Sequence, residues 1–137
     1  MVQQENKTQV IINLAALDHN ADLVRMHAPY SKILAVIKAD AYGHGLLPIA
    51  EALSHVDGFA VARLEEGVQL RKAGVSKTVL VLTGFTSPID VDVFSQYELD
   101  AVVHSDYQVD YLNQSQLTQP ITVWLKINTG MNRLGVS

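Results

Sequence analysis

Ile33-Leu34-Ala35-Val36-Ile37-Lys38-Ala39-Asp40-Ala41-Tyr42-Gly43-His44-Gly45 passes from five consecutive apolar residues to a lysine, and then to a tyrosine and two glycines. An apolar run this short, with no polar alternation, is the pattern of a strand covered on both faces. Four similar runs follow, and together they predict strands near 33–37, 58–62, 79–83, 100–103 and 121–127. Helical periodicity lies between them. Leu14, Leu17, Ala21, Val24 and Ala28 share a face that Asn13 is placed to cap. Leu46, Ile49, Ala50 and Leu53 make a second face, with Pro48 tolerable near its start. Leu64, Val68 and Leu70 mark a third, ending at Gly74. The segments after Pro88 and after Asp106 also read as helical.

Strands alternating with helices imply parallel pairing through right-handed crossovers. Two architectures satisfy the pattern, a doubly wound open sheet and a (β/α)₈ barrel, and the pattern alone does not choose. A barrel normally takes ~250 residues, so five strands in 137 residues would be an unfinished one, and the chain reads as cut short.

Composition narrows the function. The chain is 48% hydrophobic and 18% charged, with a formal net charge of −4 and no basic patch, so nucleic acid and anionic membranes are not expected partners. The absence of cysteine removes disulfides, thiolate catalysis and cysteine-based zinc sites. His19, His27, His44, His55 and His104 show no metal-ligand spacing, so no metal is expected. The polar start Met1-Val2-Gln3-Gln4-Glu5-Asn6-Lys7 has no apolar leader, and no apolar run approaches the ~20 residues of a membrane span. The expected location is the cytoplasm.

The densest chemistry lies at the end of the first run. An ammonium at the end of a buried strand is costly without a partner, and burial favours the neutral amine that a nucleophilic lysine needs. In parallel α/β folds, ligands bind at this carboxyl end of the strands. Read from the residues alone, the plainer account is a lysine that reaches solvent and a glycine turn that starts the next helix.

Val36-Ile37-Lys38-Ala39-Asp40-Ala41-Tyr42-Gly43-His44-Gly45 resembles the signature of alanine racemases. These enzymes use pyridoxal 5′-phosphate (PLP) and have an N-terminal (β/α)₈ barrel with a C-terminal β domain. Two more stretches agree: Trp124-Leu125-Lys126-Ile127-Asn128-Thr129-Gly130-Met131-Asn132-Arg133-Leu134-Gly135, similar to a later family block, and Phe59 to Gly67, similar to the second barrel strand and its helix. The resemblance runs from Val10 onward. It implies that residues 1–137 are the N-terminal part of the barrel, with about five parallel strands, and that the rest of the barrel and the C-terminal domain are absent from this chain.

The resemblance also implies roles. Lys38 matches the Schiff-base lysine, which also moves the Cα proton on one face. Tyr42 matches a tyrosine that contacts the cofactor phosphate. Arg133 matches an arginine that reaches the cofactor phenolic oxygen and the substrate carboxylate. Lys126 matches a lysine carbamylated in many members, whose negative charge orients that arginine. The implied reaction interconverts L- and D-alanine and supplies D-alanine for cell-wall peptidoglycan, in a homodimer whose second base comes from the other subunit. One departure is visible: Asn128 stands where the family has aspartate, which is expected to loosen the loop. Glu65 and Glu66 read as a solvated helix face, and Trp124 and Met131 as packing residues. Lacking the second base, the chain alone is expected to be inactive. The alternatives are a PLP-binding module without turnover, a truncated remnant, or a racemase for serine or a broader set of amino acids.

Overall fold

The computed structural model describes residues 9–117 and 119–137. The stretch Met1–Lys7, read above for a leader, lies outside them. The elements in chain order are α1 (Leu14–His27), β1 (Leu34–Val36), α2 (Lys38–Gly43), α3 (Leu46–Ala52), β2 (Gly58–Val61), α4 (Leu64–Lys72), β3 (Thr78–Val81), α5 (Pro88–Gln96), β4 (Asp100–Val103), α6 (Asp106–Gln114) and β5 (Val123–Leu125). The five strands form one sheet in the order β1-β2-β3-β4-β5, and every neighbouring pair is parallel.

That order separates the two architectures left open above. A doubly wound sheet reverses direction at a switch point, so its first strand lies inside the sheet. Here each strand is laid beside the last in one direction, which is how a (β/α)₈ barrel is wound. The fold is five parallel strands with flanking helices, the N-terminal part of a barrel of this kind.

Alternation along the strands sorts the core. Phe59 and Val61 of β2, Val79 and Val81 of β3, and Ala101 and Val103 of β4 pack with Leu70, Val91, Phe94 and Leu99 on the helix side. Ala60, Leu80 and Val102 point the other way and cluster with Leu34 and Leu82. The helix side is the larger core, and Phe85 meets Phe94 there edge to face at 4.7 Å.

The helices begin where local chemistry predicts. Asn13 Oδ1 accepts from the Ala16 amide at 3.0 Å and caps α1. Leu46, Ile49 and Ala50 of α3 are buried, with Leu53 just beyond. Gly74, at φ +89°, ends α4 in a conformation that disfavours other residues. The face expected for α1 is only partly realised: Leu17 and Ala21 pack against the core, whereas Leu14 and Val24 are exposed. Arg25 holds this helix to the sheet through Asp57 at 3.1 Å, and Asp57 also accepts from the Ile33 amide at 2.7 Å.

Two expectations need correction. The outer strands β1 and β5 each span three residues, not the five to seven predicted, because an outer strand has pairing on one side only. And residues 39–42 do not form a loose glycine turn. Ala39, Asp40, Ala41 and Tyr42 all take left-handed helical angles, with φ between 52 and 56°. None is glycine, and such angles cost an L-residue about 1–2 kcal/mol each. The surrounding structure must therefore impose this turn.

Candidate active site

All five strands end at one edge of the sheet, so the segments leaving them gather there. Ile37 is buried in the helix-side core, and Lys38, one residue on, is half-buried at the exit of β1. It is not stripped of water as a fully buried strand lysine would be. Tyr42 follows within the left-handed turn and is exposed. A cavity of about 500 Å³ between α1 and β1 includes Tyr42 and His44 in its lining, but not Lys38.

Lys126 leaves the far strand, β5, and is half-buried; its amide donates to the Val103 carbonyl at 2.8 Å. Arg133 lies in the loop beyond it and is exposed. That loop returns to its origin: Asn128 donates its amide to Val136 O, and Val136 donates to Lys126 O. Lys38 with Tyr42, and Lys126 with Arg133, thus form two groups at the same edge, at the first and the fifth strand. In an eight-stranded barrel those strands stand opposite each other across the mouth.

Asn128 does not loosen its loop. Its Oδ1 accepts from the amides of Gly130 and Asn132 at 3.1 and 3.0 Å, and its Nδ2 donates to Asn132 Oδ1 at 2.9 Å. An aspartate would keep the two accepted bonds and would have no proton for the third. Trp124 and Met131, expected as packing residues, are both exposed, and Trp124 donates its indole N–H to Asp100 at 2.8 Å.

The middle strands bring up a polar network that the sequence reading did not single out. Gln108 is fully buried: its Oε1 accepts from the His104 amide, and its Nε2 donates to the carbonyls of Thr83 and Phe85. His104, buried at the exit of β4, contacts Ser105 Oγ through Nδ1 and Thr83 O through Nε2. Both ring nitrogens are occupied locally, so this histidine braces the loops. Gly84 completes the network at φ +62°, where a Cβ would overlap the Val102 carbonyl and crowd Gln108 Nε2.

Glu66 was read as solvated, and the structure corrects this. Glu65 is exposed, but Glu66 is half-buried at the start of α4. Its Oε2 accepts from the amides of Ala62 and Arg63, each at 3.0 Å, and its Oε1 accepts from the Asp40 amide at 3.2 Å. The first two bonds are helix capping by a glutamate at the third helical position, and Arg63 has no acceptor to return them. The spacing was visible in the sequence, but the usual serine or threonine before it was missing.

Comparison with known proteins bears on this arrangement. A family model described as "Alanine racemase, N-terminal domain" matches residues 12–137. The chain belongs to the alanine racemase N-terminal domain family. The racemase signature Val36–Gly45 and the stretch Trp124–Gly135 both fall within the matched residues. The alanine racemase of Vibrio cholerae is 51% identical over 125 residues, and that of Aeromonas hydrophila 50% identical over the same length, with 91% of this chain covered in each case. Among solved structures, the biosynthetic alanine racemase of Pseudomonas aeruginosa matches with a TM-score of 0.87 at 38% identity, over 90% of this chain. That of Acinetobacter baumannii matches at 0.84 and 37%, over 91%. The chain spans about a third of these relatives, 35% of each of the two sequences and 35–36% of the two structures.

Proposed function

We propose that this chain is the lysine-bearing part of a PLP-dependent alanine racemase, holding the cofactor through Lys38. The observation that carries the reading is the position of Lys38. It is half-buried at the carboxyl end of the first strand of a parallel sheet, within a chain half identical to alanine racemases. In parallel α/β folds that edge is where ligands bind.

The donor set suits the group. The Lys38 amine is the nucleophile an aldehyde requires, the Tyr42 hydroxyl suits a phosphate oxygen, and the Arg133 guanidinium suits a phenolate or carboxylate. When bound, PLP supplies the electron sink that stabilises negative charge at the substrate Cα. The protein's share is to position and to move protons. Lys38 Nζ would hold the cofactor, and the same amine is placed to carry the proton on one face of the substrate Cα. Arg133 orients the carboxylate. A carbamylated Lys126 would present a negative charge to Arg133, where an ammonium would repel it. The opposite face needs a second base, and we place it outside this segment, in a homodimer that shares its active site. The domain reading follows: residues 1–137 are the N-terminal part of the barrel, and the rest of the barrel and the C-terminal domain belong to the remainder of a racemase of family length. Among the described residues no helix is long and apolar enough to cross a membrane; a cytoplasmic location, with D-alanine made for peptidoglycan, belongs to the same proposal.

The test is formation of D-alanine from L-alanine. A protein of full family length carrying this segment should racemise alanine, and its Lys38→Ala variant should not. The 137-residue chain with PLP should show no meaningful turnover, since each missing proton-transfer group costs on the order of 10²–10⁴ in rate. Serine in place of alanine tests the alternative substrate. Robust turnover by the short chain would contradict the two-base account.

A further inference from the structure

Four consecutive left-handed residues directly after Lys38 do not hold themselves. The bonds that fix the turn identify what does. Within it, Ala41 donates its amide to Ile37 O, Gly45 donates to Asp40 O, and Asp40 Oδ1 accepts from the Leu46 amide at 2.7 Å. All of these run between residues 37 and 46. The near end is fixed, since the Ile37 amide donates to Ala60 O of β2 at 2.9 Å and Ile37 and Ala41 are buried, whereas the exposed Asp40 is not held by core packing. Among the described residues, one further bond to the turn comes from another strand unit: the Asp40 amide donates to Glu66 Oε1. The other oxygen of that carboxylate is held by the amides of Ala62 and Arg63, at the exit of the neighbouring strand β2.

We infer that Glu66 is a positioning residue for Lys38. It bridges the carboxyl ends of β1 and β2 and ties the left-handed turn to the rigid exit of β2. This sets where the Lys38 amine stands relative to the sheet edge. The inference rests on the assignment of Lys38 as the cofactor lysine. Glu66 meets backbone amides only, and acts on the lysine through the Asp40 peptide, two residues away.

Glu66 is suited to the task because a carboxylate accepts on both oxygens. Glutamine has the same shape but one acceptor. In Glu66→Gln the carboxamide oxygen keeps the two helix-capping amides, and its NH₂ then confronts the Asp40 N–H, donor against donor. The variant therefore retains the cap of α4 and loses the bridge to the turn.

The experiment compares the protein at its natural length with its Glu66→Gln variant in three measurements: unfolding midpoint, amide hydrogen exchange at Asp40 and Ala41, and the rate at which added PLP becomes borohydride-trappable on Lys38. The expected result is a nearly unchanged midpoint, exchange at Asp40 at least about tenfold faster, and trapping on Lys38 about tenfold slower. A purely structural glutamate would lower the midpoint without singling out Asp40 or the trapping rate. Exchange and trapping both at wild-type rates in the variant would overturn the inference. If the variant does not fold, exchange in the wild type decides: an Asp40 amide as slow as those of β2 supports the bridge, and one as fast as an exposed loop overturns it. A wild-type protein that traps PLP elsewhere and never on Lys38 overturns the cofactor assignment instead, and the two failures are thereby distinct.

Discussion

At the scale of single residues, position along a strand explains more than residue type. Lys38, His104 and Lys126 all leave strands at the same edge, yet His104 has both ring nitrogens committed to Ser105 and Thr83. Gly84 is the most constrained position near them. Replacing it with alanine places a methyl group on the Val102 carbonyl at a positive φ, and the expected cost is about 3 kcal/mol or more, read as a fall in the urea midpoint. Tyr42→Phe should leave that midpoint unchanged, since Tyr42 is exposed, and should weaken PLP affinity about tenfold, the effect of one lost charge-assisted hydrogen bond. Equal PLP titrations for the two proteins would remove Tyr42 from the phosphate site. Lys38 and Tyr42 could be named from the sequence because a motif carries them. Glu66 could not, because its function depends on the Asp40 amide 26 residues away. The left-handed turn was equally hidden: Ala39, Asp40, Ala41 and Tyr42 carry no glycine to announce positive φ.

At the scale of elements, the apolar runs and helical faces were legible because burial imposes their period. All five strands and the helices after Pro88 and Asp106 occur where the pattern puts them, and only their ends moved. Apart from the Asn13 cap, the polar staples were not singled out, because they carry no apolar period. At the start of α5, burial pushes the Asp90 carboxyl up, but hydrogen bonds from Ser87 and Thr86 outweigh it and hold the group below its ordinary value of 3.8. A carboxylate depressed on folding contributes stability above its unfolded pKa and loses it as pH falls through the folded one. The stability difference between wild type and Asp90→Asn should therefore be constant near neutral pH and shrink once pH drops below 3.8. A difference that grows on acidification would refute the cap. Arg71 staples the opposite, amino-terminal edge, donating to the carbonyls of Val75, Lys77, Tyr97 and Glu98. Arg71→Met keeps the stem and abandons four acceptors, and should lower stability by about 2–4 kcal/mol without altering PLP binding.

At the scale of the whole molecule, structural staples lie at both edges of the sheet, and the residues proposed for the site share one of them. Arg71 and the Ile33–Asp57 contact lie where chains enter the strands; Lys38, Tyr42, Lys126 and Arg133 lie where they leave. The alternation of elements led to two possible folds, and a strand order without reversal selected the barrel type. That choice could not come from periodicity, because both folds bury the same kind of strand. The central claim is that Lys38, at the first strand's exit, holds PLP. Its most direct test is to incubate the protein with PLP, reduce with borohydride, digest, and map the labelled lysine by mass spectrometry. The account predicts one dominant adduct, on Lys38, lost in Lys38→Ala with no compensating label elsewhere. Label spread over Lys32, Lys72, Lys77 and Lys126 with none on Lys38 would contradict it.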